Sequence, residues 1–151
     1  MKLNSVIDIA TTILKKEEGW RSTPYYCSEG YPTVGYGFKL ADKDAPLPKF
    51  YLPKPVGEVW LQQEIEEVLQ HLYSDVNTLN PVRASVLVSM AFQLGLVGLR
   101  KFKRMWAAVE ASEWDEAAKE MLDSLWATQT PQRANRHAEM MRSGVMLRFY
   151  G

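Results

Sequence analysis

EEGWRSTPYYCSEGYPTVGYGF, residues 17–38, places two acids, the only cysteine of the chain and a glycine-punctuated aromatic run directly after a segment of helical periodicity. Upstream, Leu3, Val6, Ile7, Ala10 and Leu14 recur at three- and four-residue spacing, which predicts an amphipathic helix over residues 3–18. Asn4 or Ser5 is its expected cap and Gly19 its stop. Within the quoted stretch and just past it, Tyr25 to Leu40 is rich in Tyr, Thr and Val around Ser28-Glu29-Gly30, so a β-hairpin is expected with its tip there. Pro32 has no amide hydrogen and is expected to confine its strand to an edge. Glu18 thus ends a helix, Cys27 follows after eight residues and Thr33 after five more. A free cysteine is usually a buried core filler, yet Cys27 stands in the most turn-like part of the chain.

Working outward, residues 41–57 carry four prolines and no regular period, and read as an irregular crossing loop. A long helix is expected from Glu58 to about Leu79, with Val59, Leu61, Ile65, Val68, Leu69, Leu72 and Val76 as its apolar stripe. After Pro81, RASVLVSMAFQLG is nearly all apolar and predicts a buried central helix closed by Gly95. Three shorter helices are expected beyond it: residues 99–110, a second capped by Ser112 and running to about Leu125, and a third opened by Thr130-Pro131. The class is α+β, with a small N-terminal β-hairpin lobe and a mainly helical C-terminal lobe joined by the long helix.

The 151 residues suit one domain, 1–151. Eighteen basic and eighteen acidic side chains cancel, so no net field favours nucleic acid, and the lean toward positive charge after residue 100 is slight. One cysteine excludes an internal disulfide, and His71 and His137 are too far apart for a helical ligand pair, so no metal site is expected. The N-terminus mixes apolar and polar residues and lacks the h-region of a secretory signal. No stretch of membrane-spanning length stands out, so no stable membrane insertion is expected.

EEGWRSTPYYCSEGYPTVGYG resembles the catalytic signature of phage-type lysozymes, the glycoside hydrolase family 24 endolysins that include those of the T-even phages. In that family a glutamate, an aspartate or cysteine, and a threonine stand at this spacing. SMAFQLG, KFKRM, WDEAA and TQTPQRANR resemble the family's C-terminal segments in the same order, so most of the chain is covered, residues 41–57 excepted. The resemblance implies a lysozyme-like fold with two lobes and the active-site cleft between them.

Cleaving a glycosidic bond needs an acid to protonate the leaving oxygen and a second group to activate water or stabilise the oxocarbenium-like charge. Glu18 fits the acid; a glutamate's reference pKa of about 4.3 would leave it ionised at neutral pH, so the cleft has to raise it. Cys27 fits the second group, as base or as nucleophile, although a reference pKa of about 8.5 gives little thiolate at pH 7. By resemblance, Thr33 holds the attacking water, Gln93 and Phe102 line the saccharide groove, and Arg133 pairs with Glu18. An adjacent guanidinium opposes the acid role, so Arg133 is expected to orient Glu18. Glu29 ranks below Cys27 as a substitute carboxylate, and Gly35 and Gly37 either let a sugar chain approach the backbone or relieve strain in a twisted hairpin. Trp114, Trp126, Phe92, Met90, Met121 and Met140 read as core. Phe38 stands where the family usually has a histidine, so Asp75, which resembles that histidine's partner, is expected to lack a cation.

The expected activity is cofactor-free hydrolysis of the β-1,4 bond between N-acetylmuramic acid and N-acetylglucosamine in peptidoglycan. The family implies inversion at the anomeric carbon. A monomer is expected, held in the host cytoplasm until a holin opens the membrane and releases it to the periplasm and cell wall. The rival reading is a catalytically silent peptidoglycan-binding or virion structural module.

Overall fold

A computed structural model describes residues 2–151. Helix α1, Leu3–Glu18, leads into three short strands, β1 Arg21–Tyr26, β2 Pro32–Gly35 and β3 Phe38–Lys39. The long α2, Lys54–Val76, then crosses to α3 Pro81–Arg100, α4 Lys103–Glu110, α5 Trp114–Leu122, α6 Leu125–Gln129 and α7 Pro131–Ser143, and Arg148–Tyr150 form a final 3-10 turn. The α+β, lysozyme-like class expected from the sequence is the class observed.

α1 forms because Val6, Ala10, Ile13 and Leu14 lie along one face and are fully buried. Its N-cap is Lys2 with no side-chain bond, so neither Asn4 nor Ser5 caps it; both stand inside the first turn. Gly19 stops it as expected, at φ 68°, a backbone angle that glycine tolerates best.

The hairpin is a three-stranded antiparallel sheet in the order β1-β2-β3, in which Tyr25 faces Thr33 and Thr33 in turn faces Lys39. Its turn does fall at residues 27–31. Two strand expectations are corrected. The first strand begins at Arg21 and not Tyr25, and β2 is central and not an edge. Pro32 is tolerated because it is the first residue of that strand, where its carbonyl still accepts from Leu40 N at 2.8 Å. The proline inside an edge strand is Pro24, beside an irregularity in the pairing between Arg21 and Tyr25.

The proline-rich segment is irregular through Pro53, and it is tied to the sheet by Leu52 N to Ser22 O at 2.8 Å and Tyr26 Oη to Ala45 O at 2.7 Å. α2 opens four residues before the expected Glu58, since Pro55 suits a first turn. Leu61, Ile65, Leu69, Leu72 and Val76 are its buried stripe; Val59, expected among them, is 69% exposed. Each fully buried aliphatic side chain of this kind contributes about 1.5–3 kcal/mol.

α3 is the axis of the helical body, packed by α1, α2 and α7. Gly95, at φ 78° and ψ 160°, breaks the helical path, and a further turn follows to Arg100. That continuation makes Pro81–Arg100 long and apolar enough to cross a membrane by length and composition, with mean hydropathy 1.7, contrary to the sequence expectation. Reading Gly95 as the end of the helix hid that length. In the fold the segment is the core helix, with Ala84 through Ala91 buried.

α4 begins at Lys103 and not at residue 99. α5 starts at Trp114, and Ser112 is not its cap but a positive-φ residue (56°) in the preceding turn. The chain then breaks and restarts as α6, where Ser124 is the N-cap and its side chain accepts from Ala127 N at 3.1 Å. Pro131 opens α7 as expected, but the Thr130 hydroxyl donates back to Trp126 O at 3.0 Å and caps nothing. Met90, Met121 and Met140 are fully buried, Trp126 is 3% exposed, and Phe92 and Trp114 are half-buried against the core.

Candidate active site

Two neighbouring carboxylates at the C-terminal end of α1 face an unfavourable helix dipole and each other. α7 answers with two arginines three residues apart on one face. Arg136 binds Glu17 through two bonds of 2.6 and 3.0 Å, and the Tyr150 hydroxyl donates to the same carboxylate. Burial works to raise Glu17, but these bonds outweigh it and hold its carboxyl below the usual range. Arg133 Nη1 meets Glu18 Oε2 at 2.5 Å, with side chains 9% and 18% exposed. The other Glu18 oxygen lies against Gly37: a Cβ there would stand 2.2 Å from Oε1, and Gly37 is at φ 74°. Gly37 therefore makes room for the glutamate itself, a closer role than the sugar approach expected of it.

Arg133 is supported from behind. Its Nη2 donates to Ser89 Oγ at 3.1 Å and to Ser89 O at 3.4 Å, while Nε has no partner. Ser89 Oγ lies 2.7 Å from His137 Nε2, and both residues are fully buried. Burial first, and the Arg133 charge second, push the His137 imidazolium down to a pKa of about 3, so the ring is neutral at physiological pH.

At the start of the turn between β1 and β2, Cys27 is half-buried and makes no disulfide. Burial works to raise its thiol, but hydrogen bonds from the backbone of Tyr31 and Glu29 and from the Thr33 side chain outweigh it and hold the thiol below its ordinary value. Thr33 is 3% exposed, and its hydroxyl donates to Tyr31 O at 2.8 Å. A hydroxyl has one proton, so Thr33, which donates to Tyr31 O, has lone pairs and not a proton for water. Glu29 is exposed at the turn tip, where its charge acts against the thiolate.

Burial is the largest cause raising the Tyr25 phenol; the Arg21 charge opposes it, and the charges of Glu18 and Cys27 act with it.

Other expected residues are placed differently. Gly35 is buried, and its open side faces Phe38 and Leu52, with a Cβ 2.7 Å from the Phe38 ring, so it has no surface to offer a saccharide. Gln93 is half-buried and accepts from the Trp126 indole at 2.8 Å, which gives a core tryptophan a positioning task. Phe102 stands edge-on to Trp126 at 6.1 Å and lines a depression of about 600 Å³ with Leu94, Lys101 and Lys103, whose walls include none of Glu18, Cys27 and Thr33. Phe38 stacks on Trp60 at 4.4 Å. Asp75 does have a cation, Arg100, at 2.8 Å, so the expectation of an unpaired carboxylate is corrected: the lost histidine is replaced by an arginine from the end of α3.

Sequence reading missed Glu17, Arg136, Tyr150, Ser89 and His137. One signal was present as a single polar letter in an apolar run, the serine of VLVSMAF, and another as the arginines of α7 available to an acid pair at residues 17 and 18; the histidine of NRHAEMM, among polar neighbours, gave none.

The family model described as Phage lysozyme matches residues 15–139 of this chain, a span that holds every residue of the Glu18–Arg133–Cys27 arrangement. The chain is similar to the pre-baseplate central spike protein Gp5 of Enterobacteria phage T4, at 31% identity over 156 positions covering 87% of this chain and only 27% of the spike protein's length. It is also similar to probable T4-type lysozyme 1 of Dictyostelium discoideum, at 25% identity over 163 positions, 89% of this chain and 94% of that protein. The peptidoglycan hydrolase gp36 of Pseudomonas phage phiKMV is 26% identical over 131 positions, 85% of this chain and 14% of the hydrolase.

Proposed function

Because the chain belongs to the phage lysozyme family, we propose that it is a muramidase that hydrolyses the β-1,4 bond between N-acetylmuramic acid and N-acetylglucosamine in peptidoglycan. The observation that carries this reading is the Glu18 carboxylate, lodged against Gly37 and held by Arg133, with Cys27 at the far end of the strand β1 that follows it.

In this reading Glu18 gives its proton to the leaving glycosidic oxygen as the bond to the anomeric carbon breaks. Water adds to that carbon, and the Cys27 thiolate takes the proton it loses; the thiol then returns a proton to restore Glu18 through solvent. Cys27 acts as base in this reading, and the bonds that favour its thiolate keep more of it in the form that can accept a proton. Thr33 keeps the cysteine turn in shape and offers an acceptor to the water. Gln93, fixed by Trp126, and Phe102 bind the glycan. The protein works without a cofactor, as a monomer, and reaches the wall from the host cytoplasm when a holin opens the membrane, so that its activity lyses the cell.

The experiment is loss of turbidity of outer-membrane-permeabilised cells, with soluble muropeptides identified by mass. The parent should clear the suspension and release fragments with a new reducing end at muramic acid, and Glu18→Gln should not. Equal clearing by both would sink the assignment. A second reading, a wall-binding module within a virion, is favoured by the similarity to the spike protein; it predicts pelleting with isolated peptidoglycan but no release of reducing ends by the parent.

A further inference from the structure

Ser89 lies in the most apolar part of α3, in the fully buried run Val86, Leu87, Val88, Ser89, Met90. A hydroxyl there is costly unless bonded, and its partners lie on α7. His137 follows Arg133 by one helical turn, so the two side chains share a face, and that face meets Ser89 with both of them. A guanidinium can only donate, so Ser89 Oγ accepts from Arg133 Nη2. Of the two partners only His137 Nε2 can take the hydroxyl proton, and when it does that nitrogen is bare and the ring proton sits on Nδ1. Nδ1 has no hydrogen-bond partner, although the Arg133 backbone one turn back acts on the ring. The ring is caged edge-on by Trp126 at 6.0 Å and Tyr150 at 6.5 Å, so its orientation is set. In that orientation its one polar side-chain contact is Nε2 with Ser89.

We propose that Ser89 and His137 are positioning residues that hold Arg133, and through it Glu18, in one geometry. The chain runs from His137 Nε2, accepting from the Ser89 hydroxyl, to Ser89 Oγ, accepting from Arg133 Nη2, to Glu18 Oε2, accepting from Arg133 Nη1. Without the Ser89 oxygen, Nη2 keeps only the 3.4 Å carbonyl contact, and the guanidinium is free to rotate about its bond to Glu18. The inference rests on Glu18 being the acid.

The first test uses the unaltered protein. Nitrogen-15 spectra of the His137 ring should show the neutral Nδ1–H tautomer from about pH 5 to about pH 9; an Nε2–H tautomer or an imidazolium in that range overturns the proposal. The second is a double-mutant cycle on muropeptide hydrolysis. Ser89→Ala should lower kcat about tenfold with KM within about twofold, as expected for loss of one bond to a charged group, and Ser89→Thr should recover most of the loss. In an Arg133→Ala background, Ser89→Ala should have no further effect on kcat. Equal factors in both backgrounds, an effect on KM alone, or parental kcat would each show that Ser89 does not act through Arg133. Glu18→Gln run beside them separates the two readings: an active Glu18→Gln enzyme removes the acid and this inference together, whereas an inactive one with a parental Ser89→Ala enzyme removes the positioning role alone.

Discussion

Glu18 and Cys27 are held by opposite means. Glu18 is fixed by the helical body, through a buried arginine, a buried serine and a buried histidine, each on a helix that also forms the core. Cys27 is fixed by a five-residue turn, through backbone amides and one hydroxyl, with a solvated glutamate at its tip. A proton donor has to be kept in one place and in one protonation state, which suits dense packing. A group that handles water needs access to solvent, which suits a turn.

The largest expected effect tests the packed side. Glu18→Gln keeps the shape and the Arg133 contact but has no proton to give, so kcat should fall by about a thousandfold with an unchanged melting temperature. If the loss were small, the packed side would be scaffold only. Next comes the turn side: Cys27→Ala should cost about a hundredfold, while Cys27→Asp should remain active. The rising limb of the pH–rate profile should lie at higher pH for the parent than for the aspartate variant, and in the parent below the range of an ordinary thiol, since the turn favours the thiolate. Superimposable profiles would show that the turn does no acid–base work.

Gly37→Ala joins the two sides. The added methyl would collide with Glu18 Oε1, and φ of 74° suits glycine alone, so activity should fall about tenfold or more through displacement of the acid, and stability by about 1–2 kcal/mol. Retained kcat with lowered stability would show that Glu18 tolerates movement. The remaining effect, on stability alone, concerns His137. Below its unfolded value near 6.5 the unfolded chain binds a proton that the native state refuses until about pH 3, so acidification lowers stability across that window. Between about pH 6.5 and 5, before carboxylates titrate, denaturant midpoints should report a loss of about 2 kcal/mol, which His137→Gln should flatten. An equal slope in both proteins would place the titration elsewhere.

Local pattern made α1, the turn at residues 27–31, the stripe of α2 and the buried α3 legible, because each follows from a periodicity or a glycine. The family resemblance added the Glu18–Arg133 pairing, which no local rule contains. What escaped was set by tertiary contact. Ser112 and Thr130 have capping chemistry, yet a positive φ and a bond to Trp126 O took them elsewhere. Val59 fits the apolar period but falls where α2 has no neighbour to cover it. Asp75 recruited Arg100 because the extra turn after Gly95 carries that arginine back to α2, a path that the glycine concealed. Ser89 and His137 are unremarkable apart and informative only as a pair brought together across 48 residues.

α3 has a consequence for the order in which the chain can be made. α1 and α2 precede it and can cover it as it emerges, but α7, which closes its remaining side and supplies Arg133 and His137, comes last. About thirty residues separate the two helices, a delay on the order of a few seconds at ordinary synthesis rates. For that interval the nascent protein presents an uncovered apolar helix with a bare hydroxyl in it, and Glu18 stands without its arginine. The geometry around Glu18 is thus among the last things that synthesis completes, and a chain that stalls before α7 lacks the arginine that holds it.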